Sequence, residues 1–459
     1  MPRVALVVVV LLAFACSNTA VAHPESDPHS FTGKIGAAAY RIDVPADWNG
    51  TLFLYSHGYV APGGNNDAVA APGVEATAWL LDHHFAIAGS SYSSTGWALE
   101  DALKDQIELL DYFATRAGKP KRVIAWGTSL GGIVTAGLVQ LHPERFAAAM
   151  PMCGVLSGGI ATWNTELDAA YAFKTLLAPG SNLQLAHVTN PDANLKLALD
   201  IFAQAAGTPA GMARIALVGA LIDLPGWFDP RLPEPAPNDF AAREAAQALW
   251  ESRVDFTFAF RYRAELEQRA GGNPSWNTGV DYSHQLAISP DRDEVAALYA
   301  AAGLDLHADL GALNGGTRVT ADPAAVRYLD QNISLGGPLS IPMLTMHTTG
   351  DGLVIPSNEN AYAAAAGDST MLRQTFVHRA GHCTFSEAET VAAVQVLLKR
   401  LDTGRWDDAA LTPAALNAGA QAQGEFANVF FGAATPPAFV DFTPAPYPRP
   451  FPKGAPFPT

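Results

Sequence analysis

The chain has 459 residues, of which 49% are hydrophobic, 16% charged and 9% aromatic. That is too apolar for an intrinsically disordered polymer and long enough for one large domain or two to three ordinary ones. With 28 Lys and Arg against 44 Asp and Glu, the formal net charge of −16 repels phosphate backbones and anionic headgroups, which argues against nucleic-acid or lipid-surface partners.

The first 22 residues stand apart. Arg3 precedes an apolar run from Val4 to Ala15, and Ala20-Val21-Ala22 follows as a small-x-small cleavage pattern. The run is too short to span a bilayer, so residues 1–22 read as a secretory signal peptide. A lipoprotein signal ending at Cys16 fits less well, because Ala13-Phe14-Ala15 lacks the expected leucine. No other stretch is apolar for 18 residues. The mature chain is therefore expected to be secreted or periplasmic, with no integral membrane segment. Removing the leader leaves Cys153 and Cys383. Two cysteines in an oxidising compartment suggest one disulfide, with two buried thiols as the alternative.

From residue 37 to about residue 154 short β-rich runs alternate with helical patterns. Tyr40–Val44, Thr51–Gly58, His84–Tyr92, Arg122–Gly127 and the run before Cys153 within Ala147–Gly154 read as strands, with a turn at Asn49-Gly50. Leu99, Leu103, Ile107, Leu110 and Phe113 recur at helical spacing between them. This rhythm predicts an α/β protein with a mainly parallel sheet. Residues 155–337 then show much helix signal and little strand, with helix starts near Asp192, Thr208 and Ser289-Pro290. They are expected to form an inserted helical cap between core segments 23–154 and 338–403. Strand rhythm returns at Ile341–Asp351 and Leu372–His382, followed by a helix from about Ser386 to Leu401. Residues 404–459 form an Ala/Pro-rich extension, and its last 24 residues hold nine prolines. These exclude a regular helix or central strand, while Phe439, Phe442, Tyr447, Phe451 and Phe457 favour packing on the body.

Gly127-Thr128-Ser129-Leu130-Gly131 is a G-x-S-x-G sequence placed between a β run and the helical Leu130–His142. A tight strand-to-helix turn there would lift the Ser129 hydroxyl above the sheet and aim the Leu130 N–H at a developing oxyanion. A nucleophilic serine needs a base, and the base an orienting acid. Asp351 and His382 each end a later strand run, in that order. Among competing histidines, His347 lies mid-strand, His378 lies inside the last strand, His57 belongs to the early Ser-His-Gly loop, and His83 and His84 come at the approach to a strand. His57-Gly58-Tyr59 follows an early strand and offers the Tyr59 N–H as second oxyanion donor. A Cys153–Cys383 bridge would pin the His382 loop to the sheet edge. No metal motif is present: there is no H-E-x-x-H and no Cys-x-x-Cys.

These four segments, His57-Gly58-Tyr59, G-T-S-L-G, Asp351 in T-T-G-D-G-L-V-I-P and His382 in A-G-H-C, resemble the α/β-hydrolase family. The resemblance implies a doubly wound sheet of about eight strands, a Ser-Asp-His triad and no cofactor. It covers a little under half of the chain. Secreted carboxylesterases and lipases are the nearest match within it, which implies a small-molecule or polymeric ester as substrate. Trp163, Trp227, Phe228 and Trp250 could shape an apolar acyl pocket or form the cap's own core. Exported proline-iminopeptidase-like aminopeptidases are the alternative. They require cap carboxylates to hold an amine, for which Glu166, Glu244, Glu251, Glu265 and Glu267 are available, although glutamates at helical spacing are usually solvated. A non-catalytic binding protein on this fold is a third possibility, which predicts a broken triad.

Overall fold

The computed structural model describes residues 29–367, 370–424, 429–430 and 433–457. The leader with Cys16 lies outside the described residues. In chain order the strands are β1 (His29–Ile35), β2 (Ala38–Val44), β3 (Thr51–Ser56), β4 (Ala86–Ser90), β5 (Arg122–Thr128), β6 (Ala148–Met152), β7 (Met343–Gly350) and β8 (Leu372–Ala380). A small hairpin of β9 (Val429–Phe430) and β10 (Ala433–Ala434) and a short β11 (Phe439–Val440) follow. One sheet takes the order β1-β2-β4-β3-β5-β6-β7-β8-β11. Its six central strands, β4 through β8 in that order, run parallel, while β1, β2 and β11 pair antiparallel at the two edges.

Helices α1 (Val74–Asp82), α2 (Leu99–Ala117) and α3 (Leu130–Leu141) connect the early strands. Between β6 and β7 lie α4 (Gly159–Leu177), α5 (Pro191–Ala205), α6 (Pro209–Leu221), α7 (Phe240–Trp250), α8 (Arg263–Ala270), α9 (Tyr282–Ile288), α10 (Arg292–Ala302), α11 (Leu306–Gly315) and α12 (Pro323–Gln331). They are followed by α13 (Ser357–Ala366), α14 (Glu387–Thr403) and α15 (Pro413–Gln421). The cap helices start where their caps dictate. Asn190 accepts from the Ala193 N–H and Thr208 from the Gly211 N–H, each with proline next in sequence.

Period-two alternation splits the core into two layers. Leu52, Leu54, Val123 and Ala125 face α2 and α3, packing with Leu109, Leu110 and Ile133. Phe53, Tyr55, Ile124 and Trp126 face the other way, against Leu80 of α1 and Val394 and Leu397 of α14. Each such fully buried large side chain contributes about 1.5–3 kcal/mol. A third cluster lies within the cap, around Phe173, Leu217, Phe256 and Phe260. The sheet is thus an α/β-hydrolase core, doubly wound, with one strand more than the resemblance implies.

Two sheet strands lie outside the sequence-derived set. β1 is exposed or half-buried along its length, so it shows no apolar alternation. β11 is two residues long and sits among prolines, and its pairing with Phe376 and Val377 of β8 is a tertiary event. The tail packs on the body: Phe439 and Tyr447 are buried, and Phe451 stacks edge-on against Trp276.

The turn after β5 leaves no room for side chains. A Cβ added at Gly131 would stand 1.9 Å from the Ser56 carbonyl oxygen, and one at Gly127 would stand 2.5 Å from both the Gly131 and Ser56 oxygens. Both obstacles are backbone and cannot rotate away. Gly131→Ala is therefore expected to lower the melting temperature by several degrees or more, overpacking of this kind costing about 1–3 kcal/mol. A thermal-shift measurement giving the wild-type Tm would contradict this packing.

Candidate active site

Ser129 stands between β5 and α3 at φ 58°, ψ −124°, a conformation that L-residues avoid at a cost of about 1–3 kcal/mol. Two backbone bonds hold it there. Its N–H donates to Met152 O of β6 at 3.0 Å, and its carbonyl accepts from Gly132 N–H at 2.8 Å. The His57-Gly58-Tyr59 segment crosses in front of it, so close that a Cβ on Gly58 would lie 3.2 Å from Ser129 Cβ. His57 itself is stacked on Tyr92 at 4.0 Å, and burial lowers its proton affinity. Its imidazole thus supports the loop and leaves the next residue, Tyr59, to line the cavity with Leu130 and Ser129.

Asp351 follows β7 and is fully buried. Its Oδ1 accepts from the N–H groups of Leu353 (3.0 Å) and Val354 (2.9 Å), and its Oδ2 meets His382 Nδ1 at 2.7 Å. Both oxygens of this buried carboxylate are therefore hydrogen-bonded, which offsets the loss of water. A second imidazole backs it. His347, buried in β7, places Nε2 3.7 Å from Asp351 Oδ2 and 2.7 Å from Val354 O, with Nδ1 3.2 Å from Glu359 Oε1. Burial opposes charge on His347, but Glu359, Asp351 and the Val354 carbonyl outweigh it and hold the imidazole above its ordinary pKa. His347 was set aside in the sequence as a mid-strand residue. Its spacing of four from Asp351, across a strand end and a turn, is the one signal in the sequence that could have linked them.

His382 is a fifth exposed. Its Nε2 lies 3.4 Å from Cys383 Sγ, and no hydrogen bond to Ser129 is present among the described residues. Such bonds are often loose without substrate and tighten in the reacting complex. Cys383 is joined to Cys153 by a disulfide with a Cα–Cα separation of 5.4 Å. Cys153 directly follows Met152, the residue that receives the Ser129 N–H. The serine turn and the His382 loop are thus linked through the end of β6. The Cys153, Cys383 and His382 side chains approach within 4.8 Å of one another, but sulfurs bonded to each other offer no thiolate to a metal. Of the other histidines, His378 is exposed, with Nε2 3.3 Å from Glu234.

Beneath the cap, a narrow cavity of about 40 Å³ is lined by Ser129, Tyr59, Trp97, Trp163 and Phe258. A second chamber of about 30 Å³ shares Val155, Thr162, Glu166, Leu353 and Val354 as lining with it and reaches Asp255, Ile222 and Tyr447. Of the four cap aromatics singled out in the sequence, Trp163 alone faces these chambers. Trp250 lies in the cap's interior, donating Nε1–H to Trp227 O and stacking edge-on with Phe228.

The cap glutamates correct the expectation of solvated surface residues. Glu244, Glu251 and Glu267 are buried. Glu267 accepts from His187 N–H and Val188 N–H, and Glu265 from Trp97 N–H, so these two close loops. Glu166 lines both chambers, and burial pushes its carboxyl up to about 8 despite the nearby Arg263. Asp255 was overlooked. Between α7 and α8 the helix widens twice into i→i+5 turns, at Glu251–Asp255 and Phe258–Tyr262, and these turn Asp255 and Phe258 toward the chambers. Burial, with Glu166 and Glu251 adding to it, raises Asp255 well above its ordinary value. No periodic pattern anticipates such turns, which recur at functional sites.

A sequence profile of the prolyl oligopeptidase family matches residues 89–187, from within β4 through the serine turn to just beyond α4. The chain is similar to an o-phthalyl amidase of Xanthobacter agilis, with 28% identity over 439 residues, 86% of this chain and 94% of that one. It is also similar to a solved esterase of Aspergillus oryzae, at 14% identity and TM-score 0.41 over 82% of this chain and 79% of that one. Feruloyl esterase B of the same organism aligns at 11% identity and TM-score 0.41, over 82% and 80%.

The cavity acid has a measurable consequence. A carboxyl whose pKa rises from an ordinary 4.5 to about 8 on folding binds its proton more tightly in the native state, so its contribution to stability falls as pH climbs between those values. Glu166→Gln removes that loss. The Tm of the variant minus that of wild type is expected to grow from pH 5 to pH 8. A difference that stays flat across this range contradicts a protonated, desolvated Glu166.

Proposed function

The chain is a hydrolase of the α/β-hydrolase type, and from that premise we propose a secreted serine hydrolase that cleaves carboxylic amides and esters through an acyl-enzyme. The observation that carries this reading is the Asp351–His382 contact at 2.7 Å beside the strained Ser129 turn. Similarity to an amidase over most of both chains adds amides to the esters that the resemblance implied. In the first step Ser129 Oγ attacks the carbonyl carbon and its proton passes to His382 Nε2. Asp351 accepts from Nδ1–H and stabilises the imidazolium. The Tyr59 and Leu130 N–H groups receive the oxyanion. Nε2 then returns the proton to the departing amine or alcohol, and water, activated by the same nitrogen, frees the acid. Export is supported by the leader pattern of residues 1–22 and by a disulfide, which persists in oxidising compartments.

An aminopeptidase is the second reading, favoured by two carboxyls, Glu166 and Asp255, at the cavity wall. Their raised proton affinity means that a neutral amine entering the site would have to take the proton of one of them to form an ammonium–carboxylate pair. Purified mature protein and its Ser129→Ala variant, assayed on nitrophenyl esters, acyl nitroanilides and aminoacyl nitroanilides, separate the two readings. Loss of about 10⁴–10⁶-fold in acyl-substrate turnover is expected in the variant. Near wild-type turnover by Ser129→Ala sinks the mechanism, and preference for aminoacyl anilides moves the chain to the peptidases.

A further inference from the structure

The C-terminal tail is fixed at two places on either side of Tyr447. Upstream, β11 pairs Phe439 and Val440 with Val377 and Phe376 of β8, and Asn417 brackets Phe439 from both sides, donating to its carbonyl and accepting from its N–H. Downstream, Arg449 Nη1 lies 3.0 Å from both carboxylate oxygens of Asp168, a fully buried residue of α4. Tyr282 OH donates to the same carboxylate at 2.9 Å. The tail therefore runs from the edge of the sheet into the interior of the cap. The stretch between the anchors reads Pro444-Ala445-Pro446-Tyr447-Pro448-Arg449-Pro450, in which alternate prolines lock φ and restrict the residues before them to extended backbone. Tyr447 is held on a stiff rail.

The residue is 4% exposed, its hydroxyl lies 3.2 Å from Thr165 Oγ1, and it lines the inner chamber. That chamber adjoins the one at Ser129, with Thr162 and Glu166 in the wall common to both. Resting on the serine-hydrolase reading, we propose that Tyr447 is the end wall of the acyl pocket, so that the proline-rich tail sets the longest acyl group the site accepts. The apolar Ile222, Leu224 and Ile355 around it suit an alkyl or aryl terminus. Tyr447 is thus a specificity residue delivered by a segment outside both the core and the cap.

The test is a series of nitrophenyl esters from acetate to decanoate, read as kcat/KM for wild type, Tyr447→Phe, Tyr447→Leu and Tyr447→Ala, with Tm measured alongside. A methylene in an apolar pocket is worth about 10–200-fold in discrimination. The ratio of kcat/KM for the longest esters to that for acetate is therefore expected to rise about tenfold or more in Tyr447→Ala. It should rise less in Tyr447→Leu, and stay at the wild-type ratio in Tyr447→Phe, which keeps the ring. Should the alanine variant fail to fold, the leucine variant carries the comparison. An unchanged ratio with an equal loss on every ester means that Tyr447 only braces the fold, and it overturns the proposal. A wild type that turns over none of the series fails the hydrolase reading itself, a different result from a wild-type length cut-off that no Tyr447 variant moves.

Discussion

The turn at Ser129 is the constraint around which the rest of the molecule is arranged. At φ 58° and ψ −124° it stores about 1–3 kcal/mol that local contacts cannot supply. The compensation is spread over the sheet. β6 accepts the Ser129 N–H, α3 donates back to its carbonyl, and Gly127 and Gly131 let β3 and α3 close on the turn without side chains between them. Gly132 of α3 and Gly154 after β6 approach so closely that a Cβ on Gly132 would meet Gly154 Cα at 2.4 Å. Parallel strands bring their C-terminal ends to one edge, and Asp351 and His382 leave β7 and β8 there. The disulfide then ties the His382 loop to β6, closing a loop of 230 residues that spans the whole cap. A cross-link of that length restricts the unfolded chain by about 2–5 kcal/mol.

The cap obeys a different balance. Its interior holds several acids that water would otherwise stabilise, and burial raises the pKa of Glu166, Glu244, Glu251 and Asp255. Some acids are met by cations: Arg243 lies 2.7 Å from Asp291 and 2.9 Å from Glu294, and Arg449 of the tail meets Asp168. Others face the chambers. A cap with this many desolvated carboxyls gives up stability to hold polar groups beside the proposed nucleophile, the trade expected where a pocket must recognise something. The tail supplies both a counter-ion and a wall from outside the cap sequence, which explains why the cap by itself does not enclose the cavity.

How much of this was legible in the sequence varies with the range of the interaction. The serine turn is local: strand, G-x-S-x-G and helix are contiguous, so Ser129, Leu130 and the fold class could be read directly. Asp351 and His382 were reachable because each closes a β run in the expected order, and the structure brings their side chains together. β1 was missed because an exposed edge strand carries no apolar alternation. The cap glutamates were misread because helical spacing tells which residues share a face and not whether another helix covers it. Asp255 and Phe258 were missed because i→i+5 turns break the period that would have placed them. That Tyr447 packs on the body was legible in its aromatic ring, but where it packs was not, since its position depends on β11 pairing with β8 and on Arg449 finding Asp168.

The central claim is that Ser129 is the nucleophile activated at this edge. The most direct measurement is treatment of the purified protein with an alkyl fluorophosphonate, followed by intact-mass determination and peptide mapping. A single phosphonyl adduct on Ser129, formed in step with loss of hydrolytic activity and absent in Ser129→Ala, is the result expected of a serine activated by a neighbouring base. An active protein that resists the reagent, or an adduct on another residue, would contradict the account.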